Sequence, residues 1–215
     1  SQSLQSLLAH IPGLVVIMPS SPDSVMDSYR YAISHHKGPV ISLEHRLMYE
    51  LSFDDEWESL SNPFGSRIIQ KGNDITVIAT SAMVLEVKRA SNYLKTYGIN
   101  IEIIDLHSIS HPDKDLILNS LKKTRRLIVA DTSWPAYGVA SEINRIVNEN
   151  DPTILLSHTI SLGMQEAPCP TAKSLEDIYY PDVHEIVKSV FASLNHKYDI
   201  NSLPKKQSMT DFRKH

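Results

Sequence analysis

Short apolar runs rich in β-branched residues alternate along this chain with segments in which apolar residues recur at intervals of three and four. This alternation is typical of a mainly parallel β-sheet with helices on both faces, because buried parallel strands are apolar throughout and the covering helices are amphipathic. We therefore predict an α/β fold, a three-layer sandwich with a mainly parallel sheet. The predicted strands are 14–18, 39–43, 75–79, 101–106, 126–130 and 153–156, and the predicted helices are 21–34, 82–95, 139–147, 182–194 and one that starts at Pro112.

Several residues indicate where the helices begin and end. Ser21 stands at a capping position before Pro22 and Asp23, which suit the first turn of a helix. Gly98 is predicted to adopt a left-handed conformation after the helix 82–95. Asp182 and Glu185 have the spacing of a capping box for the last helix.

A turn at Lys71-Gly72-Asn73 separates the segment 65–69 from the apolar run 75–79. Two short extended segments joined by such a turn favour a β-hairpin. We predict a hairpin whose second arm is the first central strand of the sheet.

The helical and strand periodicities both fail between positions 52 and 73, which indicates a domain boundary. We predict a first unit at 1–62, a complete α/β domain at 63–195 and a polar, basic tail at 196–215. The first unit has only two strands and one helix, which cannot shield both faces of a sheet. It is expected to pack on the second domain or to be the tail of a larger domain.

The composition excludes several classes of function. The 215 residues include 21 Lys and Arg against 25 Asp and Glu, a net charge of −4 that gives no polycationic face for nucleic acid. The single cysteine, Cys169, cannot form an internal disulfide and indicates a reducing compartment, which we take to be the cytoplasm. No apolar run approaches the length of a membrane span, and no secretory signal opens the chain.

Few residues match a catalytic pattern, and the seven glycines form no phosphate-binding loop. Glu44-His45-Arg46 follows a predicted strand, where a carboxylate, an imidazole and a guanidinium could line a substrate site or form a surface salt-bridge cluster. Trp134 and Tyr137 form either an aromatic contact surface or a rigid turn, and we favour a subunit interface. Isolated histidines such as His107 are expected to be solvated or packed.

Several motifs in combination resemble the β subunit of the thiamine-diphosphate-dependent 2-oxo acid dehydrogenases, closest to the pyruvate type. The resemblance implies the second half of a transketolase-like pyrimidine-binding domain followed by a transketolase C-terminal domain. The motifs are Ser1-Gln2-Ser3-Leu4, Pro12-Gly13-Leu14, Glu44 to Tyr49, Trp134-Pro135-x-x-Gly138-x-x-x-Glu142-Ile143 and Pro170-x-Ala172-Lys173-x-Leu175-Glu176-Asp177.

The resemblance implies a role in the oxidative decarboxylation of pyruvate or a related 2-oxo acid. It implies thiamine diphosphate and magnesium held mainly by residues outside this chain, and potassium bound by backbone carbonyls of Ala32, Ile33 and His35. The implied partners are an α subunit and a second β subunit in a heterotetramer, together with a lipoyl acyltransferase core. In a eukaryote the compartment would be the mitochondrial matrix.

The family's activating glutamate would lie upstream of Ser1, and its active-site histidine would immediately precede that residue. No catalytic residue can therefore be carried over, and this segment alone is expected to be inactive. The alternatives are an enzyme related to transketolase or deoxyxylulose-phosphate synthase, and a non-catalytic assembly module with the same fold.

Overall fold

A computed structural model describes residues 3–52 and 62–206 of the chain, which form two β-sheets and their covering helices. The smaller sheet pairs β1 and β2 in parallel, and the larger has the order β3-β5-β4-β6-β7. The elements are α1 (Gln5–Ala9), β1 (Val15–Ile17), α2 (Pro22–Ser34), β2 (Val40–Ser42), β3 (Arg67–Gln70), β4 (Ile75–Ala79), α3 (Ala82–Lys95), β5 (Ile101–Asp105), α4 (Lys114–Thr124), β6 (Leu127–Ala130), α5 (Val139–Asn150), β7 (Ile160–Leu162), α6 (Lys173–Glu176) and α7 (Val183–Ser193), with 3₁₀ helices at Arg46–Glu50 and Ile200–Ser202.

The larger sheet is the middle layer of a three-layer sandwich. Strands β4 to β7 are parallel, and their side chains alternate between two apolar clusters. In β4, for example, Val77 packs with α3 and α7, whereas Ile78 packs with α4 and α5. Because successive side chains of a strand point to opposite faces, strands covered on both sides must be apolar throughout. The predicted fold class is confirmed.

The predicted helix boundaries are largely confirmed. The side chain of Ser21 accepts a hydrogen bond from the backbone N–H of Ser24, and Pro22 opens α2. Gly98 has a φ of +74°, the left-handed conformation expected after α3. The carboxylate of Asp182 accepts from the backbone N–H of Glu185 and so caps α7.

The predicted hairpin is wrong. Strand β3 pairs antiparallel with β5, and β4 lies between β5 and β6. A Cβ atom added to Gly72 would lie 2.2 Å from the carbonyl carbon of Ile101, so the connection passes directly over the start of β5. Both sides of β4 are occupied by parallel neighbours, which leaves the outer edge of β5 for β3.

The strand predicted at 153–156 is also wrong. Thr153 bonds to the carboxylate of Asp151 in a turn, and the last strand is β7, Ile160–Leu162. Ile154 is buried in the cluster with α4 and α5. Burial of a turn therefore accounts for Ile154 and in part for Leu155, whereas Leu156 is exposed.

Residues of the N-terminal part, 3–52, pack against the larger sheet. Leu14, Val16 and Met18 belong to the same apolar cluster as the α4 and α5 side of that sheet. The backbone N–H of Met18 donates to the carbonyl of His107 at 2.7 Å. The predicted linker falls on residues 53–61, outside the described part of the chain, and the division into units remains a prediction.

Within the described residues, none of the helices has the length and apolar character needed to span a bilayer.

Candidate functional site

The carboxyl ends of the parallel strands form the edge where open α/β sheets bind ligands. In this structure the residues that follow β4, β5 and β6 face the N-terminal part of the chain, which contacts them through two buried polar networks. These networks determine which part of the edge stays open.

Asp131 is the centre of the first network. It follows β6 and is 3% exposed. Gln5 of α1 donates from Nε2 to both carboxylate oxygens, at 3.1 and 3.0 Å. The hydroxyl groups of Thr80 and Ser133 also donate to this carboxylate. Three neutral side chains therefore satisfy a buried carboxylate and attach α1 to the sheet edge.

Asp105, the last residue of β5, is the centre of the second network. Its carboxylate accepts from Ser20 Oγ at 2.5 Å and from Arg67 Nε at 3.1 Å. Arg67 also donates to Ser21 Oγ at 2.8 Å. An ion pair between β3 and β5, with a buried carboxylate and a half-buried guanidinium, is thus linked to the start of α2.

His107 is fully buried beside this network. Its Nε2 lies 2.8 Å from Ser28 Oγ and 3.0 Å from the carbonyl oxygen of Pro63, which can only accept. The proton therefore belongs on Nε2, and Nδ1 has no partner among the described residues. Burial lowers the pKa of His107, the charge of Arg67 lowers it further, and Asp105 partly opposes them.

The group predicted from Glu44-His45-Arg46 lies at the end of β2. Glu44 Oε1 accepts from Tyr29 Oη at 2.6 Å and from Ser42 Oγ at 2.9 Å, and Oε2 accepts from Tyr49 Oη at 2.8 Å. Burial raises the pKa of Glu44, but these three hydrogen bonds outweigh it, so the pKa lies below its ordinary value. Hydroxyl groups hold Glu44, and no ion pair joins it to Arg46 within residues 3–52 and 62–206.

Two clefts meet at Glu44. One has a volume of about 310 Å³ and is lined mainly by apolar residues of α2 and the first 3₁₀ helix. The other, of about 630 Å³, extends to the carboxyl ends of β4 and β6. Glu44, His45 and Tyr49 line both clefts, whereas Arg46 is exposed and lines neither. Glu44 and His45 therefore belong to the clefts, whereas the side chain of Arg46 lies outside them.

His45 is half-buried between these clefts. Its Nδ1 is buried without a partner among the described residues, and burial lowers the pKa of the ring. The imidazole is therefore held in its neutral form and leaves Glu44 without a cationic neighbour from this residue.

Trp134 and Tyr137 lie in the turn between β6 and α5. Trp134 is 39% exposed and Tyr137 is 89% exposed, with a φ of +59°. A Cβ atom at Gly138 would lie 2.3 Å from the carbonyl oxygen of Trp134, so the turn is closed tightly on itself. Its rigidity presents both rings outward, and their assignment to a subunit interface remains a prediction.

The three backbone positions proposed for potassium lie together at the end of α2. Ala32 and Ile33 belong to its last turn and His35 is its C-terminal cap. Carbonyl groups in the last turn of a helix lack partners within the helix, and together they form its negative end. The positions are compatible with a cation, and the potassium assignment remains a prediction.

The sequence analysis missed Gln5, Thr80 and Asp131 as a connected group. One signal was present, because Asp131 directly follows an apolar strand, where a charged residue borders the ligand edge of the sheet. The partner 126 residues earlier in the chain could not be found from spacing.

Comparison with known proteins identifies relatives that match most of the chain. Residues 65–186 match the family described as transketolase, C-terminal domain. The chain is 34% identical over 196 residues to the mitochondrial pyruvate dehydrogenase E1 component subunit beta of Saccharomyces cerevisiae, a match that covers 88% of this chain and 53% of that protein.

Two further relatives are bacterial. The acetoin:2,6-dichlorophenolindophenol oxidoreductase subunit beta of Cupriavidus necator is 33% identical, with 86% of this chain and 55% of that protein covered. The pyruvate dehydrogenase E1 component subunit beta of Rickettsia felis is 31% identical, with 88% and 58% covered. The chain thus spans little more than half the length of these relatives.

A solved structure described as a split gene transketolase, inactive beta4 tetramer, is similar with a TM-score of 0.70. It is 20% identical in sequence, and the match covers 90% of this chain and 61% of that one. At this level of identity the similarity shows the fold.

Proposed function

The chain belongs to the transketolase C-terminal domain family, and from this premise we propose that it forms part of the β subunit of a thiamine-diphosphate-dependent 2-oxo acid dehydrogenase. The observation that carries the proposal is the identity of 31–34% to named β subunits over 86–88% of this chain. The proposed reaction is the oxidative decarboxylation of pyruvate or a related 2-oxo acid.

We propose that the part of the chain described here contributes assembly rather than chemistry. Within residues 3–52 and 62–206, no group of three or more His, Cys, Asp or Glu side chains is placed to hold a metal ion. We assign the binding of magnesium diphosphate to the α subunit, as the resemblance to the family implies. When bound, thiamine diphosphate supplies the electron sink for decarboxylation.

The proposed assembly is a heterotetramer of two α and two β subunits that associates with a lipoyl acyltransferase core. Trp134 and Tyr137 are proposed interface residues, because rigid exposed aromatic side chains gain contact area at little entropic cost. We place the complex in the cytoplasm, or in the mitochondrial matrix if the source is eukaryotic. Potassium at the carbonyls of Ala32, Ile33 and His35 would stabilise the end of α2.

Glu44, His45 and Arg46 remain candidates for the rim of the substrate entrance. Of the three, Arg46 carries the positive charge and is exposed, so it can meet the carboxylate of a 2-oxo acid. Glu44 points into the clefts and would repel that carboxylate.

The test is co-expression of the full-length gene product with the α subunit from the same organism. The purified complex should release carbon dioxide from a 2-oxo acid when thiamine diphosphate and magnesium are present. Transfer of a two-carbon unit between sugar phosphates, without decarboxylation, would instead support a transketolase. Assembly without either activity would support a non-catalytic module.

A further inference from the structure

The larger cleft beside Glu44 lies where the carboxyl ends of strands from both sheets converge. Met18 follows β1, Leu43 follows β2, and Ser81 and Thr132 stand two residues beyond β4 and β6. Ligand sites in proteins usually occupy about 300–1000 Å³ and favour the carboxyl edge of α/β sheets. The cleft, at about 630 Å³, meets both conditions.

The charge in and behind the cleft is negative. Glu44 is the one charged side chain among the described residues that line it. Asp131 lies directly behind the wall, bonded to the lining residue Gln5. Across residues 3–52 and 62–206, neither carboxylate forms an ion pair with a lysine or arginine. The described part of the chain therefore leaves this charge without a cationic partner.

Two tyrosine rings stand beside the carboxylate of Glu44. Tyr29 and Tyr49 come from α2 and from the first 3₁₀ helix, and both donate their hydroxyl groups to Glu44. The two residues are 45% and 68% exposed. The face of a tyrosine ring attracts a cation, and an ionised carboxylate with three donors can still accept a further hydrogen bond. The low pKa of Glu44 keeps it ionised at neutral pH.

Apolar side chains line the remainder of the cleft, with Leu4 and Leu8 on one side and Met18 and Leu43 at the strand ends. A ligand with a positive head and an apolar body would therefore satisfy both parts of the lining. An anion would meet an uncompensated carboxylate.

We propose that this cleft binds a small organic cation, with its alkylammonium group against Glu44 and the two tyrosine rings and its apolar part against the leucines. The cleft shares Glu44 and His45 with the proposed substrate rim, but its ligand is a cation, whereas the 2-oxo acid is an anion. The proposal does not rest on the proposed decarboxylation, and ligand binding is measured independently of turnover.

The test is titration of the purified chain, followed by calorimetry and NMR, with choline and with 3,3-dimethylbutan-1-ol, its uncharged isostere. Choline should bind about tenfold more tightly than the isostere, a difference of about 1.4 kcal/mol. Acetate, an anion, should not bind. A capped lysine, Nα-acetyl-lysine N-methylamide, represents an ammonium group from a peptide. If choline binds more tightly than the capped lysine, the ammonium group that the cleft binds belongs to a free small molecule, as proposed. If the capped lysine binds more tightly, the ammonium group belongs to a protein side chain and the proposal is wrong. Equal affinity of choline and its isostere would overturn the proposal.

Variants of the lining residues show whether the affinity for choline depends on the charge of Glu44 or on the shape of the cleft. Glu44→Gln should reduce the affinity for choline to within about twofold of that for the isostere, because it removes the charge and keeps the size. Asp115→Asn removes one negative charge from exposed surface on α4 and should leave the affinity unchanged. A Glu44→Gln protein that binds choline as tightly as the wild type would contradict the assignment.

A second pair of variants keeps the test decisive if Glu44→Gln does not fold. Tyr49→Phe retains the ring and should bind choline within about threefold of the wild type, whereas Tyr49→Leu should bind it about tenfold more weakly. Equal affinities of these two variants for choline would show that the Tyr49 ring does not contribute to binding.

Discussion

At the scale of single residues, buried polar groups fix the contact between the N-terminal part of the chain and the larger sheet. Asp131 accepts from Gln5, Thr80 and Ser133, and Asp105 accepts from Ser20 and Arg67. A buried carboxylate is tolerated only when its hydrogen-bonding capacity is used, so these residues depend on one another.

Asp131→Asn should destabilise the chain. The amide group of asparagine would face the donors Gln5, Thr80 and Ser133, and an unmatched buried donor costs about 1–3 kcal/mol. Chemical denaturation of both proteins measures the difference in the free energy of unfolding. Glu166→Gln, on the exposed loop before α6, is the control and should stay within about 0.5 kcal/mol of the wild type. Equal stabilities of Asp131→Asn and the control would show that the network contributes nothing.

The stability of the chain should fall as the pH decreases below about 6.5, the ordinary pKa of histidine. The pKa of His107 is lower in the folded chain than in the unfolded chain. As the pH falls, the unfolded chain therefore binds a proton before the folded chain does, and unfolding becomes more favourable between the two pKa values. Its contribution is fully present above that window. His45, whose pKa burial also lowers, acts in the same direction.

His107→Gln keeps a donor for Pro63 and removes the titrating ring. Denaturation at several pH values should show a slope below pH 6.5 that is smaller by up to about 1.4 kcal/mol per pH unit than in the wild type. An unchanged slope in the variant would assign the pH dependence to other groups.

At the scale of elements, the connection between β3 and β4 depends on Gly72. A Cβ atom there would lie 2.2 Å and 2.4 Å from the carbonyl carbon and oxygen of Ile101, which are backbone atoms and cannot rotate away. Gly98, after α3, has a positive φ but no atom within 4 Å of an added Cβ. The two glycines therefore separate a steric requirement from a conformational one.

Gly98→Ala should cost about 1–2 kcal/mol, the penalty for a side chain in the left-handed region. Gly72→Ala should cost at least about 3 kcal/mol, because the backbone of β3 or β5 must move. Thermal and chemical denaturation of the two variants gives both values. A smaller loss for Gly72→Ala than for Gly98→Ala would show that the connection between β3 and β4 can shift freely.

At the scale of the whole molecule, one apolar cluster joins the N-terminal part of the chain to the larger sheet. Leu14, Val16 and Met18 cover residues of β5, β6, α4 and α5. The opposite cluster, between the sheet and helices α3 and α7, contains none of these three residues. The N-terminal part adds only the partly buried Leu47, Met48 and Leu51 to that opposite cluster. The face with α4 and α5 therefore depends more on the N-terminal residues than the face with α3 and α7 does.

A fragment of residues 62–206 should therefore unfold cooperatively, but at a lower Tm than the whole chain. It should also bind a hydrophobic dye that the whole chain does not, because the face beneath Leu14, Val16 and Met18 becomes exposed. Calorimetry and dye fluorescence provide the two measurements. A fragment without a cooperative transition would contradict the predicted boundary near position 62.

Trp134→Ala should weaken the assembly of the proposed heterotetramer more than its turnover. The loss of a rigid exposed ring at an interface costs about 2 kcal/mol in association, while turnover of the assembled complex stays within a few-fold. Sedimentation and activity at saturating α subunit measure the two effects, and Trp134→Phe is the control that keeps an aromatic ring. Unchanged assembly with a turnover about a hundredfold lower would place Trp134 in the active site.

The layers of this protein could be predicted from local sequence patterns, because strand and helix periodicities report local burial. The apolar runs of β4, β5 and β6 and the spaced apolar residues of α3 and α7 were enough to predict a mainly parallel sheet covered on both sides. Local caps such as Ser21 and Gly98 were equally accessible, since each depends on only a few neighbouring residues.

The partner strand of β3 and the residues that meet at the sheet edge depend on tertiary packing. Strand pairing depends on which edges remain open after all strands have assembled, and the turn at Gly72 carried no information about that choice. The contact of Gln5 with Asp131 joins residues 126 positions apart, and the cleft at Glu44 combines the ends of four strands. Such contacts follow from the packing of distant segments, which no local pattern along the chain records.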